Sequence, residues 1–255
     1  MTDTPIKTLT ILTGSSRGMG RAMAEQLLQP GQVLLGLASQ ADPALDALAA
    51  QRGARLTQWK RDLSEAAPVT VALGKWLAQF QPDAFAQVRL INNAGVIGPL
   101  GAVEGAAPEA LVRALRVGLE AAVLLSAAFL QHTAHWTADR RVLNISSGLG
   151  RRAMAGSAAY CAAKAGMDHY SRALALEQAE RPNGARIVAL APGLIDTDMQ
   201  RELRAAPSDG FPDQERFVAL KAQSQLDTPF AAAQKVLAFL VRDDFGQAPV
   251  ADVRG

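Results

Sequence analysis

Tyr160 and Lys164 stand four residues apart in Tyr160-Cys161-Ala162-Ala163-Lys164, and Ala165, Gly166, Met167, Leu174 and Leu176 continue the stretch as a helical pattern. On a helix, residues i and i+4 share one face, so the phenol and the ammonium enter the same space. A free tyrosine ionises near pH ~10 and is a poor acid or base at neutrality. A lysine ammonium ~4–5 Å away favours the phenolate by roughly 3–4 kcal/mol at an effective dielectric of ~20. That would bring the phenol towards working pH, where a general acid is most useful. The hydroxyl of Ser147 follows the strand-like run Val142-Leu143-Asn144-Ile145-Ser146 and can hydrogen-bond the same substrate oxygen. Alone, Tyr-x-x-x-Lys also arises by chance in half-buried helices. The rest of the chain decides its meaning.

Such a trio needs a helix, a strand end and a cavity between them, and the chain supplies a series of such junctions. Residues 7–13 are short, β-rich and mostly apolar, as a buried first strand should be. They run into Gly14-Ser15-Ser16-Arg17-Gly18-Met19-Gly20 and then a helical segment at 21–28. In a strand–glycine turn–helix, the backbone can approach a pyrophosphate, and the helix N-terminus offers free N–H groups. The spacing G-x-x-x-G-x-G differs from the commoner G-x-G-x-x-G, and no Gly-Lys-Ser/Thr follows to make a Walker loop. Further strands are expected at 32–38, 56–59, 88–91, 141–145, 185–190 and 249–253. Helices are expected at 42–52, at 64–80 with Ser64 as N-cap, at 108–132, from Tyr160 to about 180, and at 229–241. Two short helices at 199–203 and 213–223 flank Pro207, Gly210 and Pro212, as in a lid over about 196–226. Alternating strands and helices imply parallel β-α-β units: an α/β, doubly wound parallel sheet with helices on both faces. No repeat, low-complexity tract or linker divides residues 1–255, so one domain is expected.

Composition narrows the function. At 255 residues and 49% apolar, the chain can bury one large core. A net charge of +2, from 26 basic and 24 acidic residues well interspersed, argues against nucleic acid as the main partner. The single cysteine, Cys161, precludes an intramolecular disulfide and fits a reducing compartment. No apolar run reaches a membrane span, and no signal-peptide pattern opens the chain, so a cytoplasmic location without membrane partners is expected.

Taken together, residues 13–20, Asn92-Asn93-Ala94-Gly95, Ser147, Tyr160, Lys164 and Pro192-Gly193 resemble the short-chain dehydrogenase/reductase family in order and spacing. The resemblance implies a seven-stranded Rossmann sheet with a nicotinamide cofactor across the strand ends. It implies that Tyr160 protonates a carbonyl oxygen as hydride arrives, that Lys164 lowers the tyrosine pKa and holds the nicotinamide ribose, and that Ser147 orients the carbonyl. Gly14, Ser16, Arg17, Gly18, Met19 and Gly20 would cradle the phosphates. Asn92, Ala94 and Gly95 would line the adenosine-side ribose and brace the central sheet, and Asp62, beside Leu63, would face the adenine. Pro192, Gly193, Ile195 and Thr197 would flank the nicotinamide. No metal is implied. After the second strand stands Leu37-Ala38-Ser39, without the carboxylate that binds a ribose 2′-OH, while Arg17 can reach a 2′-phosphate; NADP(H) is therefore the expected cofactor.

A finer similarity, to the branch holding sepiapterin and benzil reductases, lies in residues 191–200, 220–222 and 225–226. It implies reduction of a carbonyl next to another carbonyl, and the apolar lid residues Met199, Phe211 and Phe217 either suit a hydrophobic 1,2-diketone or merely pack the lid. Two departures stand out. Ala251 occupies the place of the sepiapterin enzymes' pterin-holding aspartate, with Asp252 one residue later. Gly118 replaces the family's catalytic asparagine, so a water or a side chain such as Glu120 would have to link the lysine to solvent. A cofactor-binding sensor without turnover is the second reading. The family also implies a homodimer or homotetramer through its two long helices.

Overall fold

The structure, a computed structural model, describes residues 7–254. One seven-stranded parallel sheet carries the site: β1 (Thr8–Thr13), β2 (Gln32–Ala38), β3 (Arg55–Lys60), β4 (Gln87–Asn92), β5 (Asp139–Ile145), β6 (Arg186–Ala191) and β7 (Val250–Asp252). The strand order is β3-β2-β1-β4-β5-β6-β7. β1 and the inner parts of β4, β5 and β6 are buried, which is why they read as continuous apolar runs. Helices α1 (Gly18–Leu27), α2 (Pro43–Arg52), α3 (Ala67–Leu77), α4 (Pro108–Leu115), α5 (Ala121–His132), α6 (Ala158–Ala179), α7 (Asp198–Ala205), α8 (Gln214–Ala222) and α9 (Pro229–Leu240) complete the layers. One core packs α3, α5 and α6 against the sheet through Leu73, Leu125, Phe129 and Leu174. The other packs α1, α2 and α9 through Met23, Leu45 and Val236. The order reverses between β1 and β4, the point at which a doubly wound sheet leaves a crevice outside its strand ends.

Two expected helices differ from the sequence reading. Ser64 caps nothing. A 3₁₀ turn, Leu63–Glu65, comes first, with the Asp62 carboxylate accepting from Ser64 N at 2.9 Å, and α3 begins only at Ala67. Pro68 sits in the first turn of α3, where its missing N–H costs nothing, and this fixes the later start. The segment 108–132 is likewise interrupted: a π-turn, Arg116–Glu120, separates α4 from α5, and Ala121 N–H reaches back five residues to Arg116 O. Gly118 lies inside that turn. Among the described residues no helix is long and apolar enough to cross a membrane.

α6 is held against the sheet by polar groups as well as by packing. Asn92 and Asn144 are paired in register on β4 and β5, and Asn92 Nδ2 donates to Asn144 Oδ1 at 2.8 Å. Asn144 Nδ2 donates to Ser171 Oγ on α6 at 2.9 Å, and Ser171 Oγ donates to Met167 O at 2.8 Å. This buried chain fixes the height and rotation of α6 relative to β5, and therefore of Tyr160 and Lys164 relative to Ser147.

Candidate active site

The glycine turn after β1 is dictated by space and by backbone conformation. Gly14 and Gly18 have φ of +69° and +54°, the left-handed region that favours glycine. A Cβ on Gly20 would stand 2.0 Å from Gly14 O and 2.5 Å from Asn93 Nδ2, so only glycine lets α1 approach the turn this closely. The N-terminus of α1 has no side-chain cap, which leaves its first amides free to meet an anion.

That turn forms one end of a cavity of about 500 Å³ along the strand ends. Ser147, at the end of β5, and Tyr160 and Lys164, on α6, line the same cavity. So do Gly14, Ser16, Arg17, Gly18, Met19 and Gly20 at the turn, Ser39 after β2, and Asp62 and Leu63 after β3. Ala94, Gly95, Pro192, Gly193, Ile195 and Thr197 complete the set of expected residues on its wall. Asn92 does not reach it. Its side chain is buried among Asn144, Ser126 and the Ala122 carbonyl, so of its two expected roles it keeps only the bracing of the sheet. Asn93 takes the place on the wall, with its Nδ2 donating to Thr13 O at 2.9 Å. Successive residues of a strand point to opposite faces, and a one-residue slip decides which asparagine is seen from the cavity.

Phe211 also departs from expectation. It is fully buried and stacks on Phe217, with ring centres 5.8 Å apart and planes at 11°, so it packs the lid from behind. Phe217 and Met199 do face the cavity. Arg61, Arg113, Arg152, Arg216 and Arg254 line it too, and none of them is among the site residues expected from the sequence, where Arg151-Arg152 reads as a solvated pair.

The electrostatics around Tyr160 correct a second expectation. Lys164 Nζ lies 5.8 Å from the Tyr160 ring centre and donates to Ile145 O at 2.7 Å. Burial pushes the Tyr160 phenol above its ordinary value, while a hydrogen bond with Ser147 works in the opposite sense. Desolvation outweighs the Ser147 hydrogen bond, and the lysine is buried as well: its own pKa falls to about 8, with Asp168 resisting the fall. The phenol is thus held in its proton-bearing form through neutrality, with a cationic neighbour below about pH 8.

Gly118 packs where the π-turn crosses α6. An added Cβ would stand 3.1 Å from Ala163 Cβ, next to Lys164, so a larger residue needs α6 to yield by a few tenths of an ångström. Glu120 is exposed and does not replace the missing side chain. Gly118→Asn is accordingly expected to lower stability by about 1 kcal/mol without raising kcat, and Ala163→Gly in the same chain should recover the loss. Thermal melts and steady-state rates of the single and double variants check this. A faster, equally stable Gly118→Asn enzyme would contradict it.

A parallel doubly wound sheet with a glycine turn and a Ser-Tyr-Lys wall on one cavity is the setting of nicotinamide-dependent oxidoreductases. The chain belongs to the short-chain dehydrogenase family, whose model, described as short chain dehydrogenase, matches residues 8–208. It is 32% identical over 240 residues to benzil reductase ((S)-benzoin forming) of Bacillus cereus, covering 94% of this chain and 96% of that one. It is 34% identical over 247 residues to sepiapterin reductase of Meriones unguiculatus, covering 92% of each. A short-chain dehydrogenase/reductase from Saccharomyces cerevisiae shares the fold with a TM-score of 0.81 over 98% of this chain and 96% of that one, at 23% identity.

Proposed function

We propose that the protein is an NADPH-dependent carbonyl reductase acting on an activated ketone such as a 1,2-diketone, with Tyr160 as the proton donor. The observation that carries this reading is the convergence of Ser147, Tyr160 and Lys164 on a cavity whose far end is the uncapped α1 turn. The residues fit a dinucleotide: free amides and glycines at one end for the pyrophosphate, a buried lysine at the other for a ribose. When bound, NADPH supplies a hydride. Ser147 Oγ hydrogen-bonds the substrate oxygen, Tyr160 donates its proton to that oxygen, and Lys164 stabilises the phenolate left behind. Ala94 and Gly95 would border the ribose of the adenosine half. Asp62 would meet the adenine, although its carboxylate also accepts from Arg113 Nη1 at 3.0 Å. A sensor would have no use for all three catalytic side chains, which favours the enzyme.

The preference for NADPH rests on charge. Ser16, Arg17 and Ser39 flank a groove that opens beside the cavity, and Ser39 is followed by no free carboxylate: Asp42 is tied to Arg21 Nε at 2.6 Å. Arg17 lies 3.6 Å from Asp198, but both side chains are exposed, at 68% and 40%. An exposed pair of this kind is worth at most about 1 kcal/mol, so Arg17 is free to turn to a 2′-phosphate. Arg17→Ala is expected to raise KM for NADPH about 10–100-fold and leave KM for NADH unchanged. Equal kcat/KM for the two cofactors in the wild-type enzyme would overturn the preference.

Diketones are favoured over pterins by the fate of Asp252. Its carboxylate accepts from Arg254 Nε at 2.8 Å and Nη2 at 2.7 Å, and Arg254, not Asp252, lines the cavity. A guanidine-like pterin edge would face a cation there. With NADPH, benzil should be reduced with higher kcat/KM than sepiapterin, and sepiapterin about tenfold ahead would overturn this assignment. We also propose a homodimer or homotetramer. Val112 and Leu115 of α4 and Leu176 of α6 are exposed on helices that pack side by side, and a second copy would cover them. Light scattering that reads a monomer at micromolar concentration would refute it.

A further inference from the structure

Asp168 is a buried carboxylate for which the mechanism above has no use. It lies one helical turn beyond Lys164, as Lys164 lies one turn beyond Tyr160, so all three occupy one face of α6. Its side chain is 1% exposed, and a charge so deeply buried is costly unless it is paired and hydrogen-bonded. Its partners are specific. Ser146 Oγ donates to Oδ1, and Arg151 Nε donates to Oδ2 at 3.2 Å.

Ser146 immediately precedes Ser147, and Arg151 follows it by four residues. One carboxylate therefore holds both ends of the loop that presents the Ser147 hydroxyl. The loop lies directly on the helix: a Cβ on Gly150 would stand 2.8 Å from Lys164 O and 2.9 Å from Asp168 Oδ2. Arg151 extends the clamp outward, with Nη2 donating to Ala251 O at 2.7 Å and Nη1 lying 4.0 Å from Asp252 Oδ2, which ties β7 to the same point.

We propose that Asp168 is a positioning residue that clamps the Ser147 loop at both ends and supplies the counter-charge that holds Lys164 as an ammonium. This rests on the carbonyl-reductase reading of the site. Burial pushes Lys164 down to about 8, and the charge of Asp168 is what opposes that push. The groups in contact with Asp168 are Ser146, just after β5, and Arg151 from the loop, while Lys164, one turn back on the same face of α6, feels its charge. Asp252 at the end of β7 and its partner Arg254, two residues later, act through Arg151. Of these, only Arg151 and Lys164 bring charge to Asp168 directly, and both are cations. Removing the carboxylate should therefore lower the lysine's pKa, and removing the guanidinium should not.

The test is the pH dependence of carbonyl reduction in three enzymes. In the wild type, kcat/KM should fall above about pH 8 as Lys164 loses its proton. Asp168→Asn should move that fall down by about one pH unit, making the variant about fivefold slower than wild type at pH 8 and nearly equal at pH 6. Arg151→Gln leaves the carboxylate facing Lys164 unshared, so its fall should stay in place or move up, with any loss independent of pH. Arg151 is 32% exposed and its removal leaves no buried cavity, so this arm remains readable if Asp168→Asn folds poorly. NADPH affinity, followed by fluorescence across the same pH range, reads the ionisation of Lys164 without turnover. If the wild type reduces no carbonyl, the reductase reading fails, while the affinity profiles still judge Asp168. An Asp168→Asn profile superimposable on wild type, or an Arg151→Gln profile displaced downward, would overturn the proposal.

Discussion

Tyr160→Phe is expected to lower kcat for carbonyl reduction by ~10²–10⁴-fold, the usual cost of losing a general acid, with NADPH affinity little changed. The phenol is the one group on the wall with a proton to give at neutrality and a cation behind it to stabilise the resulting anion. Lys164 Nζ donates one of its three protons to Ile145 O at 2.7 Å, which holds the ammonium behind the phenol as a source of charge. Ser147 Oγ accepts from Leu149 N at 3.2 Å, and in the proposed mechanism it orients the substrate oxygen. The substitution removes only an oxygen from a ring packed with Met154, Leu203 and Phe217, so the lid cluster should survive intact. Retention of a tenth of the wild-type kcat would remove Tyr160 from its role.

The second large effect is the pH profile itself. Burial raises the Tyr160 pKa, so the phenol keeps its proton across the working range and imposes no loss near neutrality. Lys164, lowered to about 8, does titrate there. Its charge is present below that value and lost above it. Reduction should therefore be flat on the acid side of pH 8 and fall about tenfold per unit on the alkaline side, as the cation that stabilises the phenolate disappears. Alcohol oxidation, which needs a phenolate as base, should rise with pH over the same interval. Reduction that climbs between pH 8 and 9.5 would contradict this distribution of charge.

Much of this site is legible in the sequence because it is written in local spacing. The strand–glycine–helix junction at Gly14–Gly20 and the four-residue step from Tyr160 to Lys164 depend on neighbours in the chain, and both fall on the expected elements. The sheet was legible too, since its inner strands are apolar runs between glycine-rich turns. What the sequence reading missed depends on contacts between distant residues. Asn92 and Asn93 are both polar residues at a strand end, and the pairing of Asn92 with Asn144 on the next strand decides which one faces the cavity. Tyr160 was expected to be pulled towards neutrality by a nearby charge. Spacing gives the charge but not the burial, and here burial is the larger influence. Phe211 looked like a substrate contact because it is aromatic and sits in the lid, yet its partner is Phe217. Asp168 does lie four residues beyond Lys164, a signal that was available. Its importance appears only once Ser146 and Arg151 are seen to converge on it. The π-turn could not be read from residue types alone, since glycine at 118 weakens a helix without saying how the helix accommodates it.

The central claim is that hydride from NADPH and a proton from Tyr160 reduce a ketone in this cavity. The most direct test is the reduction of benzil with NADPH deuterated at the transferable position of the nicotinamide, followed by mass spectrometry of the product. Benzoin carrying a single deuterium on its carbinol carbon is expected from the wild-type protein, with its rate of formation lowered at least a hundredfold in Tyr160→Phe. Tight NADPH binding with no deuterium delivered to benzil or to any other ketone of a diketone and quinone panel would contradict it and leave a cofactor-binding protein without turnover.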